Sequence, residues 1–181
     1  MRTLQIGVMG SVSDLKYSND IEQKAERLGE LIATAGATLV FGAEKDADSL
    51  STAACRGAKR KGGFTVGVTY GKHKNVWEKE MADFMVASGL ERGGGREFTL
   101  VLSCDAVIAI SGGSGTLTEL AIAYQADIPM VALTGVGGWS DKMANTYFDA
   151  RKRRKIIGAK TSEEAVNTAL SEAKKYIERY G

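Results

Sequence analysis

An arginine and a glutamate bracket a glycine-rich turn near the middle of this chain: Arg96, then Ser111-Gly112-Gly113-Ser114-Gly115-Thr116, then Glu119. Glycines at a strand-to-helix turn let the backbone approach a ligand closely, with free N–H groups aimed outward. Such a helix start attracts anions, phosphate above all. A carboxylate beside a bound phosphate is repelled unless it faces a sugar or pairs with a cation. Arg96 and Glu119 together therefore imply a ligand longer than phosphate, with its phosphate on the loop N–H groups and its ribose toward Glu119. Gly112, Gly113, Ser114, Gly115 and Thr116 are the candidate contacts, and Gly10 and Ser11, after an earlier strand-like run, are further ones. Each feature also has an ordinary reading: a tight connection, a Thr116-x-x-Glu119 capping box, a surface arginine.

The elements that must position these residues alternate regularly. Apolar runs at 4–9, 37–41, 64–70, 82–87, 106–110, 130–134 and 155–157 read as strands. Between them the spacing of apolar residues predicts helices over 20–35, 48–60 and 96–103, one following the glycine turn, and a last one over 162–180 opened by a Thr161-Ser162-Glu163-Glu164 capping signal. Strand–helix alternation with short turns predicts an α/β, Rossmann-like, doubly wound parallel sheet of about seven strands with helices on both faces. A single nucleotide-binding domain spanning 1–181 is expected. Ligands of such sheets bind at the carboxyl ends of the strands, where strand order reverses. Both candidate loops sit at such ends.

Composition excludes several classes. A net charge of +2 gives no general case for nucleic-acid binding. The basic run Arg151-Lys152-Arg153-Arg154-Lys155 reads as a solvated segment, with a phosphate or nucleic-acid contact as the alternative. No apolar stretch reaches the roughly 20 residues of a membrane helix. The N-terminal residues enter a strand-like run with no signal-peptide core. Cys55 and Cys104 stand far apart and read as buried thiols of a reducing, cytoplasmic compartment. A sole histidine, His73, excludes a histidine-cluster metal site and reads as a loop residue. Gly7-Val8-Met9-Gly10-Ser11 is not the full dinucleotide fingerprint, and Glu44 is a poor substitute for the acidic residue that should close the second strand, so a dehydrogenase is disfavoured. The glycine turn lacks the lysine of an NTP-hydrolysing P-loop. Trp139 could stack on a base or lie under its loop as a structural aromatic.

The stretch from Ser111 to Glu119 resembles the P-G-G-x-G-T-x-x-E motif of the LOG family, the phosphoribohydrolases that activate cytokinins and are often misannotated as lysine decarboxylases. Arg96 stands at the spacing of that family's catalytic arginine. Val40-Phe41-Gly42, Arg56-Gly57-Ala58, Gly62-Gly63-Phe64-Thr65-Val66-Gly67-Val68 and Glu163-Glu164-Ala165-Val166 are similar to its further landmarks. The resemblance implies Arg96 and Glu119 as a catalytic pair and Gly112, Gly113, Gly115 and Thr116 as phosphate and ribose contacts. There are departures: Ser111 replaces the proline, and residues 42–50 replace a G-G-x-x-G-L-M loop. Gly135-Val136-Gly137-Gly138-Trp139-Ser140-Asp141 is more similar to the molybdenum-cofactor-carrier-like branch.

Two functions emerge as expectations. The first is hydrolysis of the N-glycosidic bond of a nucleoside 5′-monophosphate, with Glu119 stabilising an oxocarbenium-like transition state or activating water, Arg96 orienting it, and no cofactor required. The second is a non-catalytic carrier of the molybdenum cofactor or another phosphate-bearing, nucleotide-like ligand. A PLP-dependent decarboxylase is rejected, since nothing suggests a Schiff-base lysine. The expected partners are a small-molecule nucleotide ligand and, from the resemblance, a second copy of the chain; no metal site, membrane or nucleic acid is expected.

Overall fold

The computed structural model describes residues 2–78 and 81–180. Its strands are β1 (Gln5–Gly10), β2 (Thr38–Gly42), β3 (Thr65–Thr69), β4 (Phe84–Ala87), β5 (Ala106–Ile110), β6 (Met130–Leu133) and β7 (Ile157–Ala159). They form one seven-stranded sheet in the order β4-β3-β2-β1-β5-β6-β7. Every neighbouring pair is parallel. The helices are α1 (Asn19–Thr34), α2 (Leu50–Arg60), α3 (Arg96–Leu102), α4 (Ser114–Gln125), α5 (Gly138–Met143) and α6 (Ser162–Tyr180). This is the α/β, Rossmann-like architecture the alternation of runs predicts.

Successive strand residues feed opposite cores because the side-chain period of a strand is two. Ile6, Val8, Leu39, Phe41, Ile108 and Ile110 meet α1, α2 and α6 through Leu28, Ile32, Ala54 and Val166. Met9, Val40, Val107 and Ala109 meet α3 and α4 through Leu100, Leu120 and Tyr124. Both faces of the central strands are buried, which is why these runs are apolar throughout rather than alternating.

Side chains start three of the six helices. The Ser18 and Ser49 hydroxyls accept from Ile21 and Thr52 N–H at 3.4 and 3.0 Å, and Thr161 Oγ1 accepts from Glu164 N–H at 3.1 Å. The last strand lies two residues beyond the expected 155–157. Lys155 is drawn into an isolated antiparallel bridge with Tyr147, and the pairing with β6 begins only at Val131 and Ile157. Helix α5 and a 3₁₀ turn at Ser13–Leu15 correspond to no periodicity in the sequence, since neither is long enough to show any.

Strand order reverses between β1 and β5, which are hydrogen-bonded neighbours with Gly10 opposite Ile110. The carboxyl ends of these two strands open the crevice in which the candidate residues meet.

Candidate functional site

The turn after β5 is fixed by serines from three segments. Ser111 adopts φ 55° and Gly112 φ 93°, and a Cβ on Gly112 would lie 2.4 Å from Thr116. The Ser111 N–H donates to Ser140 Oγ at 2.9 Å, and Ser140 Oγ donates on to the Leu133 carbonyl at 2.8 Å. The Gly112 N–H donates to Ser11 Oγ at 2.8 Å, while Ser11 donates to Ser111 Oγ at 3.1 Å. The carbonyls of Ser111 and Gly112 accept from the N–H groups of Ser140 and Trp139, at 2.9 and 3.0 Å.

The start of α4, by contrast, is open. Gly113 is the N-cap of α4 and supplies no capping side chain, which overturns the capping-box reading: Thr116 already lies inside the first turn. Among the described residues, the N–H groups of Gly113, Ser114, Gly115 and Thr116 have no protein acceptor. Four such donors stand at the positive end of a twelve-residue helix, where an anion would be favoured. The next glycine-rich loop offers no such site, because Asp141 already accepts from Gly135, Val136 and Gly137 N–H at 2.7, 3.1 and 2.5 Å.

These donors face a cleft of about 230 Å³ that gathers Gly10, Ser11, Gly113, Ser114, Gly115, Thr116, Arg96 and Glu119 with Asp14, Glu44, Arg92 and Glu97. Gly112 stands behind the lining as its support. Arg96 is not a surface residue: its side chain is 5% exposed. It lies across the end of β2, where a Cβ on Gly42 would come 2.2 Å from Arg96 Nη1, so glycine is what lets the guanidinium pass. Its Nη2 donates to Glu44 Oε1 at 3.1 Å, and its Nε lies 3.7 Å from Glu97 Oε1. No hydrogen-bond partner among the described residues meets Nε or Nη1. Glu97 also accepts from the Gly93 N–H through both oxygens at 3.1 Å, which fixes the start of α3.

Glu44 is the residue that pattern reading undervalues. It is buried, with its N-terminal neighbour Ala43 tied to β3 and its own carbonyl accepting from Trp77 N–H at 2.8 Å. Its second carboxylate oxygen accepts from Arg92, whose guanidinium also lies 5.2 Å from the centre of the Tyr70 ring. The signal for Glu44 is its place two residues past β2, at a strand end facing the switch point. Arg92 carries a signal as well, four residues before Arg96 across three glycines.

Glu119 is 7% exposed and makes no hydrogen bond with the described residues; Arg96 gives its hydrogen bond to Glu44. Burial pushes its carboxyl up to about 8, with Glu97 and Glu44 adding to the rise and Arg96 opposing it. Burial thus favours the protonated form of Glu119, which can donate a hydrogen bond.

The remaining candidates lie outside the cleft. His73 is exposed, and its carbonyl accepts from Thr69 Oγ1 at 2.9 Å. Trp139 carries Lys142 Nζ 4.6 Å above its ring and is not among the lining residues. In the basic run Arg154 pairs with Asp127 at 2.9 Å and Arg151 with Asp149 at 2.8 Å. Cys55 and Cys104 are free and buried. No group of metal-binding side chains and no membrane-length apolar helix occurs among the described residues.

Known proteins share this fold. The chain is similar to the molybdenum cofactor carrier protein of Chlamydomonas reinhardtii, at 28% identity, TM-score 0.79, and coverage of 96% of this chain and 99% of that one. The molybdenum cofactor binding protein of Rippkaea orientalis matches at 29% identity and TM-score 0.78, covering 94% and 98%. An uncharacterised protein of Archaeoglobus fulgidus is 35% identical over 125 residues, 69% of this chain and 76% of its own. The model of the SLOG cluster4 family matches residues 3–166, a span that holds the Ser111 turn, Arg96, Glu44 and Glu119 alike. With its LOG-like and cofactor-carrier-like features on one such sheet, the chain belongs to the SLOG cluster4 family.

Proposed function

We propose that the cleft carries a phosphate-bearing pterin ligand intact, and that this ligand is the molybdenum cofactor. The observation behind this reading is the pairing inside the cleft: four free N–H groups await a phosphate, while Arg96 is committed to Glu44 rather than to Glu119. The group fits the residues present. Its phosphate would be held by the N–H groups of Gly113 to Thr116, and neutral Glu119 would donate a hydrogen bond to a ring or linker acceptor. Two similar proteins bear the names of molybdenum cofactor binder and carrier. The cofactor is cargo in this reading, and no cofactor is required for the protein's own action.

The second reading is the nucleoside-monophosphate phosphoribohydrolase. Arg96 and Glu119 do line the same cleft as the phosphate donors, which favours it. A Glu119 held neutral would serve that reaction as the general acid that protonates the departing base, rather than as the charge that stabilises the oxocarbenium ion. The deciding experiment incubates the protein with AMP and, separately, with molybdenum cofactor, and analyses each by chromatography. Carriage predicts cofactor recovered intact and no adenine above the buffer control. Catalytic release of adenine, lost in Glu119→Gln, would establish the hydrolase instead.

The proposal extends to a homo-oligomer in the cytoplasm. Phe98 and Leu102 stand one turn apart on α3 with more than half their surface exposed, an apolar strip a second copy would cover. Light scattering coupled to size exclusion reads the mass directly; a monomer for both wild type and Phe98→Glu would refute this part.

A further inference from the structure

We propose that Arg92 reads the far end of the ligand, leaving Glu44 to donate two parallel N–H groups to a carbonyl oxygen and neighbouring ring nitrogen of a fused heterocycle. This rests on the reading of the α4 N-terminus as the phosphate site.

Glu44 is held by two arginines that are not equivalent. Arg96 is almost wholly buried and grips Oε1 at 3.1 Å, whereas the Arg92 side chain is 54% exposed and takes Oε2. When Arg92 leaves, the Glu44 charge keeps its buried partner, so the exchange avoids the large penalty of stranding a charge. The Tyr70 ring holds the Arg92 guanidinium at the rim of the cleft instead of letting it swing into solvent. The segment that carries it has a left-handed glycine directly after it, Gly93 at φ 70°, and another at Gly95, φ 122°.

Sheet geometry sets the length of what Arg92 can read. Glu44 lies beyond β2 and the phosphate donors beyond β5, with β1 between them. Two strand spacings of about 4.8 Å place the two ends of the cleft roughly 10 Å apart. A phosphate joined through a short linker to a fused bicyclic ring spans that distance, and inorganic phosphate does not. Guanine and pterin rings both present a carbonyl oxygen beside a ring nitrogen, the pattern a planar guanidinium meets with two parallel hydrogen bonds from a rigid fork, where a lysine brings only a flexible point charge.

The test titrates wild type, Arg92→Ala and Arg92→Lys with guanosine 5′-monophosphate and with inorganic phosphate by equilibrium dialysis. Loss of a bidentate contact predicts GMP binding roughly 10- to 100-fold weaker in Arg92→Ala, with Arg92→Lys restoring only part of it. Phosphate affinity should change no more than about twofold, the effect of one solvated charge at that distance. GMP affinity within threefold of wild type, or equal losses for GMP and phosphate, would overturn the proposal. Wild type that binds GMP and phosphate equally well would overturn it too. If wild type bound neither probe at millimolar concentration, the phosphate site itself would fall and Arg92's role with it. Unfolding midpoints of the variants, measured alongside, separate a lost contact from a lost fold.

Discussion

Replacing Glu119 with glutamine should abolish a pH dependence of stability that its burial creates. The carboxyl titrates near its ordinary 4.5 in the unfolded chain and is pushed up to about 8 in the fold. Between those values the folded state binds the extra proton, so stability falls as pH rises. Each pKa unit corresponds to about 1.4 kcal/mol, which makes the full loss between pH 4.5 and 8 about 4–5 kcal/mol. Glutamine matches the neutral acid in shape and cannot ionise. Urea denaturation of both proteins from pH 5 to pH 9 gives the comparison, because shifts at other groups cancel in the difference. The two should be similar at pH 5, and Glu119→Gln should be more stable by several kcal/mol at pH 9. A difference that stays within about 1 kcal/mol across that range would show instead that water or a cation solvates the carboxylate. A bound phosphate dianion strengthens the bias, so wild-type affinity for phosphate should fall above pH 8 while that of Glu119→Gln stays level.

Gly42→Ala drives a methyl toward Arg96 Nη1, 2.2 Å from the new carbon, and should cost about 1–3 kcal/mol of stability along with ligand affinity; thermal unfolding and dialysis check it, and an unchanged midpoint with wild-type binding would contradict it. Ser111→Pro removes an N–H that donates to Ser140 at 2.9 Å and demands a φ near −65° where the chain holds 55°. Circular dichroism and unfolding should show a loss of about 3 kcal/mol or more, and a proline variant as stable as wild type would mean the turn can take the proline conformation of the LOG motif.

Much of the frame is legible in the sequence because burial on both faces imposes a simple rule. The run from Ala106 to Ile110 has no polar residue to blur its ends, and β5 falls where it predicts. Alternation and right-handed crossovers leave few topologies, but that β1 and β5 flank the switch point is visible only in the strand order. The inner cluster is harder to read. Glu44 and Arg96 are 52 positions apart and meet only because α3 returns over the end of β2. Nothing local distinguishes a buried arginine from a surface one, and nothing local tells that Ser111 is left-handed where the LOG motif has proline. The glycines announce close approach, but not of what: at Gly42 the approaching group is the Arg96 side chain, at Gly112 the Thr116 side chain in the first turn of α4, and at Gly115 there is open space. Lys155 falls outside β7 because a bridge to Tyr147 competes for the same run, and that competition is long-range.

On the proposed function the α4 N-terminus holds the ligand's phosphate, and Gly115→Asp isolates that contact. A Cβ at Gly115 meets nothing within 4 Å, so the substitution adds charge without a clash. A carboxylate in the first turn favours the helix itself by about 0.3–1 kcal/mol. The measurement is the molybdenum and phosphate retained per chain after loading with molybdenum cofactor and gel filtration. Wild type should retain close to one of each, and Gly115→Asp should retain almost none while unfolding at an equal or higher temperature. Retention of the cofactor by Gly115→Asp at the wild-type level would contradict the account.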